Sequence, residues 1–173
     1  MSLPPINAER VVEYITRRLK WYVKVYARKR GGVVGVSGGI DSTVTAFLTA
    51  KALGPENTFC YILPSKATPP EDIEDAKKVI EILKIPDSNW EIIPIDEIVE
   101  SFEKTLGGMT RIERGNAMAR IRMIILHQRA YRHNCLVIGT GDKSELLIGY
   151  FTKYGDGGVD ILPIGGLYKT HVR

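Results

Sequence analysis

Long apolar runs, a cationic leader and cysteine are what this sequence has least of. No stretch approaches the roughly 18 consecutive apolar residues of a membrane helix. Residues 1–7 show no basic start running into an apolar segment. Both absences argue against a membrane partner or a secretory route, so the expectation is a soluble protein of the cytoplasm. Only two cysteines occur, Cys60 and Cys135, inside the apolar runs TFCYIL and CLVIG, where a small side chain packs well in a buried strand. The three histidines are equally unhelpful to a metal centre. His127 and His133 lie six apart on one predicted helix and His171 falls in a distant tail, unlike a zinc ligand set.

What is present is ordinary globular composition, 44% hydrophobic and 25% charged over 173 residues, enough for one domain spanning 1–173. No repeat, low-complexity tract or linker divides it. A net charge of +4 favours anionic partners, but a nucleotide satisfies that bias as well as a nucleic acid does.

Apolar spacing organises the chain. Asn7 can cap a helix carrying Val11, Val12, Ile15, Leu19 and Val23, whose interspersed bases form a solvated face. Gly31 and Gly32 break that pattern before a strand over 33–36, and a helix begins near Ser42. Strands over 59–63, 92–95 and 136–139 alternate with helices over 71–83, about 96–105 and about 116–133. Such alternation predicts an α/β fold, a doubly wound parallel sheet with helices on both faces. After Tyr150 the glycines at 155, 157, 158, 165 and 166, with Pro163 among them, mark a long irregular segment, and segments of that kind tend to carry function.

The loop from Gly35 and Val36 through Ser37-Gly38-Gly39-Ile40-Asp41-Ser42 lies between a predicted strand and a predicted helix. Its amides and hydroxyls converge on a helix N-terminus, where an anion is stabilised. Two glycines allow the backbone to approach a phosphate and to take positive φ angles. Asp41 would repel bare phosphate, a conflict that disappears if the carboxylate holds Mg2+. The loop lacks the lysine of GxxxxGK[ST] and the spacing of GxGxxG. It resembles instead the SGGxDS loop of the ATP pyrophosphatases, a Rossmann-like class that releases AMP and pyrophosphate. GMP, asparagine and argininosuccinate synthetases and tRNA-thiolating enzymes share it.

A second stretch narrows the choice. Gly139-Thr140-Gly141-Asp142-Lys143-Ser144-Glu145, then GYFTKYGDGGVD over 149–160, Pro163-Ile164 and Leu167-Tyr168-Lys169-Thr170 closely resemble the signature of the ammonia-dependent NAD synthetases. The segment from Gly115-Asn116 to Arg120-Ile121-Arg122-Met123 is similar too. The resemblance implies ATP-dependent amidation of deamido-NAD by ammonia, giving NAD, AMP and pyrophosphate through an adenylated nicotinate.

By the same resemblance Gly35 to Ser42, Thr140 and Lys169 bind ATP, with Lys169 reaching its phosphates, and Asp41 and Glu145 hold Mg2+. Arg120, Lys153 and Asp160 hold deamido-NAD. Asp156 is open to two readings, a base that takes the proton of ammonium or an aspartate turn. Glu145 and Arg120, taken alone, also read as a first-turn carboxylate and a solvated helix residue.

No cysteine nucleophile with a partner histidine precedes the loop, so the chain contains no glutaminase domain and ammonia comes from solution or another protein. Apolar residues on several sides of the helix over 116–133 exceed what one sheet contact needs, and the resembling family acts as a homodimer. That family continues with further helices beyond LYKT, whereas this sequence ends at Arg173. A truncated chain, a split gene and a shortened protein all fit. The 173 residues alone are therefore expected to bind magnesium-ATP weakly and to form little NAD. A nucleotide-binding module without catalysis and a tRNA thiolase remain the alternatives, the latter needing a nucleic-acid surface and reactive cysteines.

Overall fold

The computed structural model describes residues 5–173; most of the segment read for a leader, residues 1–4, lies outside them. Four parallel strands form one sheet in the order β3-β2-β1-β4. They are β1 (Gly31–Gly35), β2 (Thr58–Ile62), β3 (Trp90–Ile92) and β4 (Cys135–Ile138). Helices α1 (Ala8–Trp21), α2 (Ile40–Leu53) and α3 (Pro70–Ile82) supply one face. Helices α4 (Asp96–Leu106) and α5 (Arg111–His133) supply the other, and the short α6 (Lys143–Ile148) and α7 (Lys169–Val172) follow β4.

The strand period of two sorts side chains between two cores. Val34, Cys60, Ile62 and Ile138 pack with Ala46, Ala50, Leu53, Ala76, Val79 and Ile80, and Leu19 and Val23 join them. Val33, Phe59, Tyr61 and Val137 face Val99, Ile121, Met123, Leu126 and Ala130. This is the doubly wound arrangement expected from the alternation. Both cysteines are buried and unpaired. Burial pushes the Cys60 thiol up to about 12 and Cys135 to about 11. No helix among the described residues is long and apolar enough to cross a membrane.

Four elements differ from the sequence expectation: the short helix α7 closes the segment expected to be irregular after Tyr150, and three others shift for physical reasons. Gly31 and Gly32 sit inside β1 instead of before it. A Cβ on Gly31 would lie 1.9 Å from the Asn57 carbonyl oxygen, and one on Gly32 2.7 Å from Ile138 Cγ1, so these glycines admit close neighbours. Helix α5 begins at Arg111, five residues before the expected start, because Thr110 and Glu113 form a reciprocal capping box. The third strand runs over Trp90–Ile92 instead of 92–95, although the Ile93 and Ile95 amides still donate to Ile62 and Pro64 beyond it; Pro94 has no amide to continue a regular ladder.

The strand order places β4 beside β1 while the chain after β1 runs the other way, to β2. The carboxyl ends of β1 and β4 therefore flank the switch point of the sheet, where open α/β sheets bind ligands.

Candidate active site at the switch point

The loop after β1 is tied together by its own residues. Ser42 Oγ accepts from the Ser37 amide at 3.1 Å and donates to the Gly39 carbonyl at 2.9 Å, and it lies 3.1 Å from Ser37 Oγ. Gly38 adopts φ +85°, and a Cβ there would stand 2.4 Å from the Asp72 carbonyl oxygen. Only glycine meets both constraints. The loop ends on the first turn of α2, with Asp41 at its second residue.

Across the switch point, β4 leads through Gly139 and Thr140 to α6. Asp142 is wholly buried and caps α6: its Oδ1 accepts from the Glu145 amide at 2.9 Å, while Glu145 Oε2 accepts from the Asp142 amide at 3.2 Å. The Lys143 amide donates to the Leu167 carbonyl and the Lys169 amide to Ser144 Oγ, at 2.8 and 3.0 Å. These bonds bring the start of α7 onto α6. As a result Lys169 reaches back across the sheet. Its ammonium donates to Asp41 Oδ2 and, at 3.1 Å, to Glu145 Oε1. It also lies 3.1 Å from Asp142 Oδ2, an ion pair outside hydrogen-bond geometry.

Burial opposes the charges of this cluster, yet the ion pairs prevail. Lys169 is raised above the ordinary lysine range by Asp41, Asp142 and Glu145 despite its burial. Asp142 is held below the usual carboxylate range by the Glu145 amide and the Lys169 ammonium, against its own desolvation. Two oxygens, Asp41 Oδ1 and Asp142 Oδ2, are buried without a hydrogen bond. Asp41, Asp142 and Glu145 each offer an oxygen, all within 4.8 Å of one another. An all-oxygen, anionic donor set with unsatisfied atoms fits a hard divalent cation such as Mg2+.

Beside the cluster lies a cavity of about 580 Å³. Its lining includes Gly35, Val36, Ser37 and Ser42, Thr140 and Asp156, and Leu63, Met118 and Arg122. Gly38, Gly39, Ile40 and Asp41 continue the same loop. The remaining predicted residues lie on the 152–160 segment or on α5, which clamps it. Thr152 Oγ1 donates to Asn116 Oδ1 at 2.8 Å, Arg120 Nε donates to the Lys153 carbonyl at 3.2 Å, and His127 Nε2 lies 2.8 Å from the Gly158 carbonyl oxygen. Asp156 Oδ1 accepts from the Thr152 amide, four residues before it, at 2.8 Å, tying the segment to itself at the cavity wall. Asp160 Oδ2 accepts from the Val137 amide at 2.7 Å, extending the β4 edge, and Ile161 bridges to Ile138.

The structure thus brings Asp41, Glu145 and Lys169 to one point, sets Thr140 and Asp156 at one cavity, and pairs Arg120 with Lys153. The sequence reading assigned no role to Asp142 or to Arg122, which donates to the Leu63 carbonyl at 2.9 Å. The Asp-x-x-Glu spacing of a capping box was a legible signal for Asp142; nothing local marked Arg122.

Known proteins share this fold and much of this sequence. The NAD synthase family profile matches residues 11–173. The NH(3)-dependent NAD(+) synthetase of Saccharolobus solfataricus is 51% identical over 168 residues, covering 97% of this chain and 59% of that protein. The NH3-dependent NAD synthetase of Campylobacter jejuni, solved with a nitrate ion, superposes with a TM-score of 0.91 at 36% identity, over 97% of this chain and 71% of the other. The NMN synthetase of Francisella tularensis follows at 0.90 and 37%, over 97% and 68%. The chain spans 57–59% of the length of the first three curated relatives. On its sequence, its sheet and its switch-point residues together, the chain belongs to the NAD synthase family.

Proposed function

We propose that this chain carries the adenylating centre of an ammonia-dependent NAD synthetase, converting deamido-NAD, ATP and ammonia to NAD, AMP and pyrophosphate. The single observation that carries the reading is the meeting of Lys169 with Asp41 across 128 residues of sequence, which joins the two motifs at one phosphate-binding loop. A carboxylate resists an amine nucleophile because its oxygen leaves poorly and its charge repels attack. Adenylation solves both problems by making AMP the leaving group.

Each residue then has a task. The loop from Gly35 to Ser42 holds the ATP phosphates with its amides and hydroxyls, Thr140 orients the nucleotide, and Lys169 neutralises charge growing on the departing pyrophosphate. Asp41 and Glu145 would hold Mg2+, which supplies further charge neutralisation when bound. Arg120, Lys153 and Asp160 bind deamido-NAD along the clamped segment. Asp156, at the cavity wall, takes the proton of ammonium so that neutral ammonia attacks.

The site belongs to one domain, 1–173. The homodimer is part of this reading: Ile112, Ile124 and Tyr131 on α5 are 77%, 62% and 92% exposed, and Leu106 on α4 is 65% exposed, apolar side chains that a second copy could cover. Two unpaired thiols suit the reducing cytoplasm.

Pyrophosphate release in the presence of magnesium-ATP tests the reaction. Release that requires deamido-NAD, at however low a rate, with NAD formed on adding ammonium, is the expected result. Release with tRNA and a sulfur donor would identify a thiolase instead. ATP binding with no release would identify a nucleotide-binding module. Running nicotinate mononucleotide beside deamido-NAD identifies which acceptor the site prefers.

A further inference from the structure

The carboxylate cluster holds a cation already, and that cation belongs to the chain. Three carboxylates, Asp41, Asp142 and Glu145, surround the single ammonium of Lys169, leaving the group with two surplus negative charges when all are ionised. Asp142 is the least expected member. Its side chain is 0% exposed, one oxygen is committed to the Glu145 amide, and the other is buried, aimed at the shared centre and without a hydrogen bond. A buried carboxylate oxygen left in that state is costly unless a cation completes it. In this structure the Lys169 ammonium, 3.1 Å from Asp142 Oδ2, is that cation.

We propose that the Lys169 ammonium occupies the divalent-cation position as an internal substitute, that a divalent metal enters by displacing it, and that Asp142 Oδ2 is the third carboxylate oxygen of that position. The exchange rests on the reading of Asp41 and Glu145 as metal ligands and needs nothing of the ligase reaction. Its chemistry is cation for cation. A divalent ion would bring the surplus charge of three carboxylates to a single negative charge, and the released lysine would be free to meet anionic oxygens in the adjoining cavity. Metal uptake and the availability of Lys169 would then be one event, so that the lysine turns toward the nucleotide only when the metal has arrived.

The exchange predicts opposite effects from two substitutions in the same cluster. Manganese binding to the nucleotide-free protein, followed by the loss of the free-ion electron paramagnetic resonance signal, reads them without any turnover. Lys169→Met removes the competing cation at similar length and should tighten Mn2+ binding by about tenfold or more. Lys169→Arg keeps a cation and should stay near wild type. Asp142→Asn keeps the Oδ1 acceptor of the α6 cap but lowers the charge of the proposed ligand, and should weaken binding by about tenfold. Circular dichroism and thermal melts establish that each variant is folded. Unchanged or weaker binding in Lys169→Met, or equal tightening in Lys169→Arg and Lys169→Met, would overturn the exchange. Unchanged binding in folded Asp142→Asn would remove Asp142 from the metal position. Failure of the ligase assay with these metal effects intact would leave the exchange standing and reject only the reaction.

Discussion

The loop over 36–42 and the segment over 152–160 border the same cavity, yet they are held in different ways. The first is tied by residues within five positions of one another, Ser37, Gly39 and Ser42. Within the second, the bond to Asp156 is local, but the segment's fixing in space depends on α5 and β4, through Asn116, Arg120, His127 and Val137, each 23 to 36 positions away. The loop proposed to hold phosphate is therefore written into a few consecutive residues, whereas the surface proposed to hold the second substrate exists only once the sheet and α5 are in place.

That contrast should be easiest to break at Gly38. An alanine there must adopt φ +85° and meet the Asp72 carbonyl oxygen, a strain of about 1–3 kcal/mol. We expect Gly38→Ala to lower magnesium-ATP affinity by roughly 10- to 100-fold while the 152–160 segment keeps its protection. Calorimetric titration giving wild-type affinity would show that the loop tolerates a side chain.

The complementary change is His127→Ala or Asn116→Ala. Each removes one long-range bond, at a cost of about 1 kcal/mol. Amide exchange over 152–160 should accelerate several-fold, with residues 36–42 unaffected. Equal acceleration in both regions would mean that they open as one unit.

A smaller effect separates local ties from catalysis. Ser42→Ala deletes an acceptor for the Ser37 amide and a donor to Gly39, and should cost about 0.5–1.5 kcal/mol of stability in a thermal melt. A larger loss would show that the loop supports the fold as well as its ligand.

The smallest change concerns the core that both regions stand on. With thiols pushed up to about 12 and about 11, Cys60 and Cys135 should not react with a disulfide reagent at roughly pH 8 until the chain unfolds. The sign follows from the raised values: below about 9 both states keep the Cys60 proton, and above it only the unfolded chain releases it, so this contribution to stability fades as pH rises. Rapid native-state labelling would mean the core opens locally.

Much of the fold was legible because its signals are short-range. Periods of two and 3.6 residues separated strands from helices, and Asn7 capped α1 as read. The errors fell where a local pattern had two meanings. Gly31-Gly32 resembles a break but serves close packing inside β1, and the Thr110 capping box starts α5 before its apolar spacing becomes regular. Within the candidate site, SGGIDS stood out because one loop needs all six residues together. Asp142 did not, since an N-cap and a buried carboxylate aimed at a shared cation look identical in sequence.

By itself, then, the sequence determined the alternation of elements, the glycine loop proposed to hold phosphate and, through its dense second motif, the family. The tertiary structure decided what meets what: β4 beside β1, Lys169 against Asp41, and the 152–160 segment on α5. The physical reason is range. Backbone periodicity, caps and turns are settled within a few residues, while an ammonium brought among three carboxylates depends on the order of strands in a sheet, which no local pattern specifies.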